Sequence, residues 1–163
     1  MNEARIGVGM GATAMATAAY YAALEYSKTR RQGRKVSEKD PGLPPIAIIE
    51  HADVKRMLLF QRAVIEGAQA LLMQCSKYVD FQKVLQGEER EKYDLLLEIL
   101  TPVAKSYPSE MGILAISQGL QCLGGSGYCD DYPLEQYFRD CRIHPIHEGT
   151  TGIQLEPSAS MCR

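Results

Sequence analysis

Apolar side chains recur at steps of three and four residues along almost the whole chain, and that pattern restricts the fold to packed helices. In the first stretch Ile6, Met10, Ala14, Ala18, Tyr21 and Leu24 share one face. No proline occurs before Pro41, so the spacing predicts a long helix from about Ala4 to Thr29 with that face apolar. Its many Ala and Gly residues permit close approach of a neighbouring helix. Between Arg30 and Ile49 the composition shifts to charge, Gly and Pro, including Lys39-Asp40-Pro41-Gly42 and Pro44-Pro45, which cannot continue a helix. A connection this long is unusual in a compact bundle, and functional use is one common cause.

A second helix is expected to start near Asp53, whose side chain is placed to cap free amides. It runs through Val54, Met57, Leu58, Val64, Ile65, Ala68, Leu71, Leu72, Cys75 and Val79 and ends before Gly87. A third begins around Glu88, with Leu96, Leu97, Leu100, Ala104, Tyr107, Met111, Leu114, Leu120 and Leu123 on its stripe, and stops at Gly124-Gly125. Pro102 and Pro108 fall inside it and predict one kinked helix. Pro133 opens a short fourth helix over 134–140, after which Pro145 and Gly149 enforce an irregular segment. Ile46-Ala47-Ile48-Ile49 is the lone strand candidate and by itself cannot build a sheet. The expected fold class is all-α, an antiparallel up-and-down four-helix bundle.

At 163 residues and 45% hydrophobic content the chain has material for one core. Eighteen basic and 20 acidic residues give a net charge of -2, which argues against nucleic acid or an anionic membrane as the main partner. The five cysteines, Cys75, Cys122, Cys129, Cys141 and Cys162, are odd in number and lack pairing motifs. They read as reduced thiols in a cytoplasmic setting, without bridges. No run approaches membrane-spanning length, and the N-terminus lacks a charged region followed by an apolar core, so neither membrane insertion nor secretion is expected.

Two patterns invite other chemistries and fail on spacing. Gly7-x-Gly9-x-Gly11, with Glu25 further on, follows no strand and sits inside a helical pattern, so it is not a dinucleotide fingerprint. His144, His147 and Glu148 suggest a zinc hydrolase, but Pro145 breaks helical presentation and no further spaced ligand set is present, so no metal is expected. Tyr20, Tyr21, Tyr78, Tyr93 and Tyr107 read as packing residues.

The closing stretch is the most specific part of the chain. Gln121-x-Leu123-Gly124-Gly125-Ser126-Gly127-Tyr128 is followed by Pro133, Glu135, Arg139-Asp140, Arg142-Ile143 and Glu148-Gly149-Thr150-Thr151-Gly152-Ile153-Gln154. With the long first helix and the arginine-rich loop, this resembles the C-terminal helical domain of the acyl-CoA dehydrogenase family. Arg30-Arg31-Gln32-Gly33-Arg34, the extended loop and Pro45-Ile46-x-Ile48-Ile49-x-His51-x-Asp53-Val54-x-Arg56-Met57-Leu58 are similar to the methylmercaptopropionyl-CoA dehydrogenase branch. The resemblance implies that 1–154 form that domain and 155–163 a truncated or divergent tail. The family's N-terminal helical and middle β domains are absent from the chain, so the fragment alone is expected to be inactive.

The resemblance implies α,β-dehydrogenation of an acyl-CoA thioester, with Glu148 taking the α-proton and FAD taking the β-hydride. An α-proton beside a thioester is far too weakly acidic for a carboxylate in water, so such a base must be held in a dry crevice with its substrate. An irregular turn between Pro145 and Gly149 frees Glu148 to point into a cleft, and Gly149 lets acyl-CoA approach the backbone. Read without the resemblance, Glu148 is a surface acid near a helix start. The resemblance assigns FAD contacts to Arg30, Gln121, Cys122, Leu123, Gly124, Gly125, Thr150 and Gly152, the last through backbone only, and an acyl-CoA contact to Arg5. Those glycines equally read as a helix C-cap with a buried Gln, and Arg30 as a solvated helix end whose duty Arg31 or Arg34 could take. The implied partners are an electron-transfer flavoprotein or similar acceptor and further copies of the chain, as a dimer or homotetramer. The reading from a different class is a non-catalytic helical oligomerisation module.

Overall fold

The computed structural model describes residues 2–37, 40 and 42–155; most of the tail expected over 155–163 lies outside them. Five helices occur among the described residues: α1 (Asn2–Thr29), α2 (Ala52–Val84), α3 (Gly87–Leu123), α4 (Leu134–Cys141) and α5 (Thr151–Leu155). The first three, of 28, 33 and 37 residues, pack on one another, and α4 closes one end against α1 and α3. The all-α bundle is as expected.

The buried face of α1 is not the one its bulky residues mark. Of the expected face Ile6 is buried and Leu24 half-buried, but Met10, Ala14, Ala18 and Tyr21 are exposed, and the core takes Val8, Gly9, Ala12, Ala16, Ala19 and Ala23 in their place. Small residues let two backbones approach, so the alanine stripe, not the larger side chains, meets α3. On α2 every expected apolar position is buried or half-buried; on α3 Leu114 faces outward. One core cluster joins the alanines of α1 to Met57, Leu58, Val64, Ile65, Ile116, Leu123, Leu134 and Cys141. A second, at the opposite end, joins Ile6, Leu72, Cys75, Val79, Leu97 and Ala104.

Helix α3 continues through both prolines. Pro108 has no amide to give the Ala104 carbonyl, and that carbonyl is the atom a side chain at Gly9 would strike. The strand candidate forms no strand: Ala47 makes an isolated bridge to Arg31, and Ile48–Glu50 is a turn of 3₁₀ helix. Asp53 does not cap α2, whose N-cap position is His51 without a side-chain cap; the Asp53 carboxylate pairs with Arg56 at 2.9 Å. A helix starting two residues earlier, at Ala52, puts Asp53 inside the first turn, where it favours the helix dipole instead.

Candidate functional site

The expected site residues fall into two groups on α3. Taking about 1.5 Å per residue, positions 105 and 121 stand roughly 24 Å apart along the helix.

At the C-terminal end of α3 lies an open cavity of about 480 Å³. Arg30, just past α1, faces it together with Tyr26, Gln121, Cys122, Leu123 and Gly124. The loop after α1 doubles back on itself to form this wall: the Gln32 amide donates to Ile46 O at 2.9 Å and the Ile48 amide to Arg30 O at 2.8 Å. Arg31 donates to Pro45 O at 3.4 Å and Arg34 to Leu43 O at 2.7 Å, so both reach the returning leg of the loop, and neither lines the cavity. Gly124 caps α3 with φ 58, and a Cβ on it or on Gly125 would meet nothing within 4 Å, so their backbone is open to a ligand. Gln121 is exposed rather than buried, and Gly125 stands outside the cavity lining.

His51 also lines this cavity, and no site reading of the sequence included it. Its Nε2 lies 2.7 Å from Gln32 O, which accepts, so Nε2 carries a proton. Gly33, at φ 69, passes close beneath the ring. In the cavity wall, burial pushes the Cys122 thiol up to about 11, with nearby Asp53 adding to the rise. Ser27 and Gln61 are buried beside the thiol, and their side chains oppose that rise by hydrogen bonding to it.

The second group surrounds the Glu148-Gly149 turn. Glu148 has φ 55 and Gly149 φ 90, two consecutive residues in a region that side chains seldom occupy. The turn is gripped from several directions. Lys105 Nζ donates to Gly149 O at 2.7 Å, and Gln154 Nε2 donates to Glu148 O at 3.2 Å and Gly149 O at 3.3 Å. Thr151 Oγ1 donates to Glu110 at 2.6 Å, and the Thr151 amide to Pro145 O at 3.2 Å. A Cβ on Gly149 would collide with Gln154 Nε2, which explains the glycine. Arg5, half-buried in α1, lies close enough for its charge to act on Lys105. Lys105 and Glu110 were not singled out from the sequence, and Gln154 was read only as the end of the closing motif, without a role.

Glu148 is exposed, as are Thr150 and Gly152 at the start of α5. The dry crevice expected around Glu148 is therefore not formed by this bundle alone. The nearby histidines hold backbone: His144 Nδ1 donates to Cys141 O at 3.1 Å and His147 Nδ1 to Ile143 O at 2.8 Å. Among the described residues no group of three or more His, Cys, Asp or Glu is placed to hold a metal ion.

Fold and sites together define a helical-bundle domain with an arginine-lined cleft at one end of α3 and a clamped carboxylate turn near its middle. A family model described as acyl-CoA dehydrogenase, C-terminal domain, matches residues 1–160, and the chain belongs to that family. It is 42% identical over 157 residues to a butyryl-CoA dehydrogenase of Syntrophomonas wolfei, covering 96% of this chain and 25% of that protein. Against a 3-methylmercaptopropionyl-CoA dehydrogenase of Ruegeria pomeroyi the identity is 38%, over 94% of this chain and 26% of that one. The solved butyryl-CoA dehydrogenase of Megasphaera elsdenii superposes with a TM-score of 0.72 at 27% identity, over 94% of this chain and 34% of that chain. The chain thus spans about a quarter of the length of the curated relatives it matches.

Proposed function

We propose that the chain is the C-terminal domain, over 1–154, of an FAD-dependent acyl-CoA dehydrogenase, in which Glu148 removes the α-proton of an acyl-CoA thioester. The observation that supports this best is the Glu148-Gly149 turn: a carboxylate presented from strained backbone that Lys105, Gln154 and the Thr151–Glu110 bond over-determine. FAD, when bound, supplies a hydride acceptor for the β-carbon. Arg30, Gln121 and Gly124 fit the phosphate and adenine portion of such a dinucleotide. The guanidinium suits a diphosphate, and the open backbone at Gly124-Gly125 leaves room for close approach. Cys122 and Leu123 form the cavity floor, and Thr150 and Gly152 offer a hydroxyl and bare backbone beside Glu148.

The exposed face around Glu148 does not enclose a flat ring, so its desolvation comes from a surface outside this bundle that closes over thioester and flavin together. The separation of the two groups along α3 supports a reading in which the Arg30 cleft and Glu148 of one copy serve different cofactor molecules, within a homo-oligomer, a dimer or homotetramer. Arg5 and Gly149 face the thioester side, and an electron-transfer flavoprotein or similar acceptor takes up the electrons. The four described cysteines are free thiols and no described helix is long and apolar enough to cross a membrane, in keeping with a cytoplasmic enzyme.

In the flavin-loaded protein containing this chain, Glu148→Gln keeps the flavin absorbance but loses its anaerobic bleaching by acyl-CoA. Normal bleaching in that variant places the base elsewhere.

A further inference from the structure

Lys105 is completely buried, a rare place for an ammonium group. It lies on the stripe of α3 that also buries Thr101, Ser109, Gly112 and Ile116, so its stem crosses the packed layer before Nζ emerges at the Gly149 carbonyl, 2.7 Å away. Burial lowers its pKa, with the charge of Glu110 opposing that and the charge of Arg5 adding to it. A position this unfavourable for a cation is retained where the group makes a contact that no apolar side chain replaces.

We propose that Lys105 is a positioning residue for the reaction: by fixing the Gly149 carbonyl it sets the direction in which the Glu148 carboxylate leaves the turn. The inference rests on the reading of Glu148 as the base. Strained backbone persists only where its surroundings over-determine it, and here each grip has its own place. Glu110 holds Thr151 at the exposed rim, and Gln154 comes from the same terminal segment as the turn. Lys105 alone among these contacts ties the turn to the buried interior of α3. Because Glu148 itself is exposed, its aim depends on the backbone it grows from. A misplacement of about 1 Å in a reacting group costs roughly 100-fold in rate.

The test uses the flavin-loaded protein containing this chain, with Lys105→Met, which matches the stem but removes the donor, and Lys105→Arg, which keeps one. Stopped-flow bleaching of the flavin by saturating acyl-CoA is expected to slow about 100-fold in Lys105→Met, while the dissociation constant for acyl-CoA changes less than about threefold. Lys105→Arg is expected to recover most of the rate, and amide hydrogen exchange over 148–151 to quicken in the methionine variant and not in the arginine one. Should Lys105→Met fail to retain flavin, Lys105→Gln takes its place and the same outcomes are read from it. Unchanged bleaching in the neutral variant, or equal losses in rate and acyl-CoA affinity in both variants, overturns the proposal. Glu148→Gln run in parallel separates the two failures: if it bleaches normally the base assignment falls, whereas if it is dead and the neutral Lys105 variant is normal, only the role of Lys105 falls.

Discussion

Gly7 and Gly9 stand two residues apart on α1, and the same change to Ala is expected to have opposite signs at the two. In a helix interior Gly is about 1 kcal/mol less favourable than Ala, so each substitution begins with that gain. Gly7 is exposed, and a Cβ there meets nothing within 4 Å, so Gly7→Ala is expected to stabilise by the full amount. Gly9 is buried, and its Cβ would land on the Ala104 carbonyl oxygen, 3.3 Å from Ala104 C and 3.0 Å from Leu72 Cδ2. The principal obstacle is backbone of α3 and not the tip of a flexible side chain, so relief requires the helices to separate. Overpacking of this kind costs about 1–3 kcal/mol, and the upper end applies here. Gly9→Ala is therefore expected to destabilise by about 2 kcal/mol net, leaving the two variants about 3 kcal/mol apart. Urea unfolding followed by circular dichroism reads this directly. In thermal melts Gly7→Ala should gain about 2–4 °C and Gly9→Ala lose about 4–8 °C. Equal midpoints, or a Gly9→Ala chain as stable as wild type, would refute the close α1–α3 approach on which the core geometry depends.

Thiol chemistry probes the interior independently. Burial drives Cys122 and Cys141 up to about 11 and raises Cys75, whereas Cys129 is exposed. In a Cys162→Ser background at pH 8, one thiol should therefore react promptly with a disulfide reagent and three more only after denaturation; a second prompt thiol with helicity intact contradicts the packing. His144 sets a pH dependence: burial lowers its pKa in the folded chain, so the unfolded chain binds its proton at higher pH. Its contribution is present above the ordinary histidine value of about 6.5 and is lost as pH falls below it. The urea midpoint should drop between pH 7.5 and pH 5, and His144→Gln should flatten that drop; an unchanged slope in the variant removes His144 as its cause.

The three long helices and α4, with their approximate ends, were legible because apolar residues repeat at helical spacing and Gly and Pro punctuate them; the short α5 (Thr151–Leu155) formed where an irregular segment was expected. The buried face of α1 was not legible from side-chain size. Met10 and Tyr21 carry far more apolar surface than Ala12 and Ala16, yet close helix contact selects small residues and leaves these bulky ones outside. The same contest hid Lys105. A lysine is expected on the solvent face, but its position at four-residue steps between buried Thr101 and buried Ser109 put it on the inward stripe all along. That spacing was the available signal, and residue chemistry outweighed it.

Glu148 shows the complementary limit. Its motif located the turn, and Pro145 and Gly149 marked it as irregular, but nothing local to 145–152 encodes whether a surface closes over it. Dryness is a property of what packs above a side chain, and in this chain Glu148 is open to solvent. What the chain does encode is the grip on the turn: Lys105, Glu110 and Gln154 lie 43, 38 and 6 residues from Glu148 in sequence, and only helix packing brings the first two beneath the turn. On the proposed reading of Glu148 as the base, a turn held in place before its cover arrives leaves closure only the removal of water.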